Sequence, residues 1–139
     1  MALTDTKPFP QKIKTGYGVC TAALGSIPAP TLASLKLIAT AGPDGAYLAK
    51  ISAFPQSTVT ATGLQAYSSK DNGVTFQPIG SETLAAYTLA TTAKIPETVF
   101  GNFNATAPKR LEAGEKVYVG IQIAWPSGVA FTAEWMDMS

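Results

Sequence analysis

At 139 residues, with 46% hydrophobic and 14% charged side chains, the chain is sized for one domain and is too apolar and too poor in charge to be disordered. A net charge of +1, from ten basic and nine acidic residues scattered along the sequence, excludes the clustered basic footprint that nucleic-acid binding requires. No run approaches the ~20 apolar residues of a membrane-spanning helix, so neither nucleic acid nor membrane is expected as a partner.

Two further absences narrow the chemistry. The sequence has no histidine, which removes the commonest general base, metal ligand and triad partner. Its single cysteine, Cys20, allows no internal disulfide and no all-cysteine metal site. Lying in a strand-like run, it reads as a buried, inert thiol. The N-terminal stretch MALTDTKPFPQKIK lacks the apolar centre of a secretory signal, so the expectation is synthesis in the cytoplasm with any export by another route.

Residues 1–12 carry Pro8 and Pro10 without a periodic pattern and read as an extended arm, with the domain proper over 13–139. Lys14–Leu24 alternates weakly and predicts a first strand. It is broken by Gly25–Pro30, where two prolines in three residues cannot join a central ladder. Leu35, Leu37 and Ala39 then alternate with Lys36, Ile38 and Thr40, a second strand. Gly42-Pro43-Asp44-Gly45 has the chemistry of a turn and Ala46–Phe54 answers as a third strand, so Leu35–Phe54 reads as a hairpin. After a Ser/Thr-rich connection, Gly63–Gly80 reads as two strands around Asp71-Asn72-Gly73, a tip whose residues tolerate positive φ. For Ser81–Lys94 a capped helix competes with a Thr-rich strand, and the strand is favoured. Glu97–Asn104 is a short strand or loop.

Leu111–Asp137 is the best-specified stretch. Val117, Val119, Ile121, Ile123 and Trp125 fall on one face with period 2. Pro126-Ser127-Gly128 supplies a reversal, after which Val129, Phe131, Ala133 and Trp135 alternate with Ala130, Thr132, Glu134 and Met136. A second hairpin is expected here, placing Val117, Ile121, Ile123, Phe131 and Trp135 in the core. Eight or so strands separated by turn signals, with no long helix, predict an all-β fold: an antiparallel β-sandwich, the jelly roll being one form of it.

Candidate chemistry is sparse. Glu112 with Glu115, and Glu134 with Asp137, are the nearest pairs of acids, and turn or strand-end positions explain both better than a glycosidase's facing carboxylates do. Asp71-Asn72-Gly73 and Gly42-Pro43-Asp44-Gly45 lack the acidic repeat of a calcium loop. Asn104-Ala105-Thr106 matches a glycosylation acceptor, which the lack of a signal makes a chance match. Trp125, Trp135, Tyr47 and Tyr67 are candidate stacking platforms, but the two tryptophans lie on the apolar faces of their strands and read as core. No catalytic residue, cofactor site or metal site is predicted.

Three stretches taken in order carry a family resemblance. They are the hairpin Ser69–Phe76 (SKDNGVTF) with the threonine-rich segment after it, the turn and strand Leu111–Val119 (LEAGEKVYV), and the acidic end Ala133–Asp137 (AEWMD). Together they resemble small capsid- or tail-associated structural proteins of phages and prophages, in which a hairpin of the form sxDgGxTf, a turn rLxAGxxlyv and an end xaExxD recur. Asn72 stands where a second glycine is common, which bears on the turn type. The resemblance spans roughly residues 60–139. It implies a non-catalytic virion component, such as a capsid decoration or cement protein or a tail-associated protein. Such a protein would be made in the host cytoplasm, assemble as a homo-oligomer (a trimer or ring) and bind a phage capsid or tail protein. The alternative is a lectin-like carbohydrate-binding module, for which Tyr47, Tyr67 and Tyr118 are the stacking candidates.

Overall fold

A computed structural model describes residues 10–138, so most of the expected arm, residues 1–9, lies outside the described residues. Within them the period-2 runs form nine strands: β1 (Pro10–Cys20), β2 (Lys36–Thr40), β3 (Ala46–Pro55), β4 (Thr62–Ser69), β5 (Gln77–Leu84), β6 (Thr98–Val99), β7 (Lys109–Leu111), β8 (Lys116–Ile121) and β9 (Val129–Met138). One short 3₁₀ turn, Leu32–Ser34, precedes β2. The first strand therefore begins at Pro10, inside the span read as arm, and ends at Cys20 rather than Leu24.

The strands make two antiparallel sheets packed face to face. The first runs β1-β9-β3, with β6 and β7 both on the far side of β3, and the second runs β2-β8-β4-β5. Strands pair from the outside of the sequence inward: β1 with β9, β2 with β8, β3 with β6 and β7, and β4 with β5. The chain is thus one long antiparallel ribbon, turned at its middle and wrapped so that successive rungs alternate between sheets, which is jelly-roll topology. The all-β antiparallel sandwich expected from the sequence is the fold found.

The middle of the ribbon is the β4–β5 hairpin, with Leu64 opposite Glu82 and Ser68 opposite Gln77. Its tip takes the positive φ the sequence offers, +63° at Asn72 and +88° at Gly73. The other two expected hairpins are corrected. Leu35–Phe54 places β2 in one sheet and β3 in the other, and the Gly42–Gly45 turn is a corner between them. Leu111–Asp137 likewise divides, β8 in the second sheet and β9 in the first. Alternation reports which face of a strand is buried. It carries no signal for whether the next strand lies alongside or across the core.

The strand expected to reach Trp125 stops at Ile121, and Ile123, placed in the core by its parity, is 41% exposed in the crossing segment. The expected Thr-rich strand is also corrected. β5 ends at Leu84, and beyond it only Tyr87 bridges to Val59.

Leu48, Ile51 and Ala53 of β3, Val129, Phe131, Ala133 and Trp135 of β9, Leu64 and Ala66 of β4, and Val117, Val119 and Ile121 of β8 meet between the sheets. Phe100, from the segment after β6, packs on Phe131 with ring centroids 6.5 Å apart. Burying each large side chain contributes about 1.5–3 kcal/mol. On its other face β8 is covered too: Tyr118 and its neighbour Tyr67 are buried with Leu24 and Leu35. Phe76 stands edge-on to both rings, at 5.4 and 6.3 Å. Where β1 passes over β2 the backbones nearly touch, since a Cβ on Gly16 would lie 1.8 Å from the Ile38 carbonyl oxygen.

Candidate functional site

Two surfaces stand out, a polar groove and an apolar strand face. The groove lies at one open end of the sandwich, between the β4–β5 tip and β7, and holds about 820 Å³. Its tip wall is set by local sequence. Asp71 accepts hydrogen bonds from the Ser69 hydroxyl at 2.9 Å, the Val74 and Thr75 amides at 3.2 and 2.8 Å, and the Thr75 hydroxyl at 2.6 Å. These bonds, the Thr75 hydroxyl's above all, hold its carboxyl down at about 2. Ser69 in turn accepts from the Gly73 amide at 2.8 Å.

The opposite wall is the β7–β8 turn, LEAGE. The buried Glu115 carboxylate accepts from the Glu112 amide at 2.8 Å, and the Glu115 amide donates to the Glu112 carbonyl at 3.0 Å. Gly114 supplies the positive φ of +74°. Lys70 reaches across from the tip to Glu112 at 2.9 Å. This bond raises the Lys70 ammonium and lowers the Glu112 carboxyl. Both groups are open to solvent, so the pair orders the rim more than it stabilises the fold. Lys109 and Arg110 of β7 also line the groove, and neither is within ion-pair distance of an acid among the described residues. These two cations, with Arg110 near enough to help lower the Glu112 carboxyl, stand beside Ser68, Gln77 and the Phe76 ring and suit a hydroxyl-rich ligand by hydrogen bonding and charge.

The other surface is the outward face of the first sheet. On β1, Ile13 is 78% exposed, Tyr17 72% and Val19 39%. The register extends these ranks inward: Ile13 lies beside Met136 and then Tyr47, and Val19 beside Ala130 and then Phe54. These four neighbours are half-buried, and the ranks between them are polar: Thr15 lies beside Glu134 and then Lys50, Tyr17 beside Thr132 and then Ser52.

The candidates read from the sequence fall elsewhere, or in turns. Glu134 and Asp137 are on opposite faces of β9 and cannot converge. Glu134 is exposed, while Asp137 is buried, accepts from the Gly42 amide at 3.0 Å and lies 4.0 Å from Lys14. Asn104 closes its own turn, its side-chain oxygen accepting from the Thr106 and Ala107 amides. Trp135 is buried and Trp125 packs half-buried against the core. Of the stacking candidates, Tyr67 and Tyr118 are buried and are corrected: Tyr67 donates its hydroxyl to the Ile27 carbonyl at 2.7 Å, and burial pushes its pKa up. Of the three tyrosines only Tyr47 keeps partial exposure. Cys20 is buried, its thiol pushed up to about 12 by desolvation, the Lys36 charge opposing.

Lys109 and Arg110 carry no motif, and no local pattern places them beside Ser68. Ile13, Tyr17 and Val19 do carry a signal. Gly16 and Gly18 alternate with Tyr17 and Val19, so over this stretch one face of the strand is bare and the large side chains lie on the other. Comparison with known protein families, with characterised proteins and with solved structures finds no match.

Proposed function

We propose that this chain is a non-catalytic structural component of a phage virion, a capsid decoration or cement protein or a tail-associated one, acting as a homo-oligomer bound to a capsid or tail protein. The observation that carries the reading is the outward face of β1, where Ile13, Tyr17 and Val19 stand exposed on one uncharged face, with Thr15 between the first two. Large apolar side chains left exposed along an uncharged edge-strand face favour protein–protein contact. A net charge of +1 adds little repulsion to keep copies apart. The jelly roll agrees but does not discriminate, since it serves viral shells and lectins alike.

The assembly is tested by light scattering on the purified protein, alone and mixed with the shell or tail protein encoded beside it. Particles larger than one chain are expected, and a monomer under both conditions would refute the reading. The second reading, a carbohydrate-binding module, now rests on the groove with Lys109, Arg110 and Phe76 rather than on the tyrosines. Binding on a glycan array that is lost in Lys109→Ala/Arg110→Ala would put it first.

A further inference from the structure

The two sheets have five strands at their free edges, and four of these are defended in ways that discourage pairing with another chain. β6 and β7 have two and three residues. β2 has five and is interrupted by a bulge between Leu37 and Ala39. β5 carries Pro78. β1 is different: it is eleven residues long, its one register shift lies at Pro10/Lys12, and Ile13–Cys20 is regular. Its outward side chains, Ile13, Thr15, Tyr17 and Val19, include no charge, and its two lysines, Lys12 and Lys14, lie on the other face, Lys14 4.0 Å from Asp137. Among the described residues, the backbone of Ile13–Val19 bonds only to β9. Every second residue of such a strand turns its N–H and C=O to the open side.

We propose that this edge pairs antiparallel with β1 of a second copy across a two-fold axis at Thr15, joining the two first sheets into one. The inference rests on the homo-oligomer reading above and names its contact. A two-fold contact must be self-complementary, and the sequence KIKTGYG, residues 12–18, is so when read against itself about Thr15. Ile13 meets Tyr17 of the partner on the outward face, twice, an aromatic–β-branched pairing of the favourable kind. On the inward face Lys12 meets Gly18 of the partner and Lys14 meets Gly16 of the partner, so no lysine opposes another. Moving the axis to Lys14 sets two lysines face to face, and moving it to Gly16 puts two glycines at the centre. The intervening registers turn outward residues against inward ones. A dimer closed in this way replaces the trimer or ring as the elementary contact.

The test combines sedimentation equilibrium with cross-linking through a short bis-maleimide. Expected are a dimer for the parent chain and a monomer for Tyr17→Lys with an unchanged far-ultraviolet spectrum, because Tyr17 is largely exposed. Thr15→Cys should cross-link to itself, whereas Val74→Cys, 75% exposed at the hairpin tip, should not. Assembly that persists in Tyr17→Lys, with no cross-link at Thr15→Cys, would overturn the β1 contact and leave the homo-oligomer standing on another surface. A monomeric parent would overturn both. A parent that dimerises only after removal of residues 1–9 would mean that the chain's own N-terminal segment holds the edge, and the β1 proposal would fall.

Discussion

Replacing Ile121 and Ile123 separately by Ala tests where β8 ends. The two positions share residue type and parity and differ only in what surrounds them. Ile121 is fully buried between Leu64 and the segment at Ala23. Losing three carbon groups there forfeits about 2.4 kcal/mol of transfer energy at ~0.8 each. β8 is covered on both faces, so the gap cannot collapse, and the cavity raises the total to ~3–4 kcal/mol. At Ile123, 41% exposed, at most ~60% of the transfer term applies, about 1.4 kcal/mol. No closed cavity forms there, so ~1 kcal/mol or less is expected. Urea unfolding followed by circular dichroism should show the midpoint falling about three times further for Ile121→Ala, with m unchanged. In a melt the loss should be ~10 °C or more against ~3 °C. Equal losses, within ~0.5 kcal/mol, would mean that the strand continues past Ile121 and that the crossing between sheets is wrongly placed.

Gly16→Val should cost ~1–3 kcal/mol or more, because its Cβ meets the backbone oxygen of Ile38, which cannot rotate away; a denaturation midpoint equal to the parent's would refute the close approach. Cys20 should resist thiol reagents in the native state at pH 8 and react on unfolding. Its folded pKa of about 12 lies above the unfolded 9.0, so the unfolded state loses its proton first and stability should fall as pH rises from 9 towards 12; a Cys20→Ala variant should lack that part of the fall. The Asp71 pKa is lowered from 3.8 to about 2, so its contribution is present above 3.8 and disappears as pH falls through about 2. The protection of the Val74 and Thr75 amides against exchange, relative to an unstructured chain at the same pH, should therefore fall over that window, and in Asp71→Ala it should already be lost at neutral pH.

What the sequence makes legible is local. Asp71-Asn72-Gly73 is read correctly because the tip's bonds run between neighbours a few residues apart. Val117, Ile121, Phe131 and Trp135 are read as core because alternation measures burial directly. Ile123 fails because apolar residues continue the pattern into a segment that has left the sheet. The Gly42–Gly45 corner fails because a turn between sheets uses the same residues as a turn within one. The groove is beyond reach for a different cause. Ser68 and Lys109 line one groove although β4 and β7 belong to different sheets, a juxtaposition that no local pattern encodes. β1 is the instructive case: Gly16 and Gly18 announce a bare face, yet a weak alternation says nothing of which side carries the exposed rank.

The outside-in pairing of the ribbon also dictates an order of events in time. Lys12 finds its partner at Asp137, and β9 lies between β1 and β3. Until β9 has been made, those two strands have no common neighbour, and the first sheet is a pair of separated strips. Contacts so distant along the chain make closure slow. A chain emerging from the ribosome would carry an undefended β1 through that whole interval, beside other chains in the same state. Refolding at rising protein concentration should then divide between native closure and exchange of β9 between copies, and the earliest misfolded species should be swapped pairs.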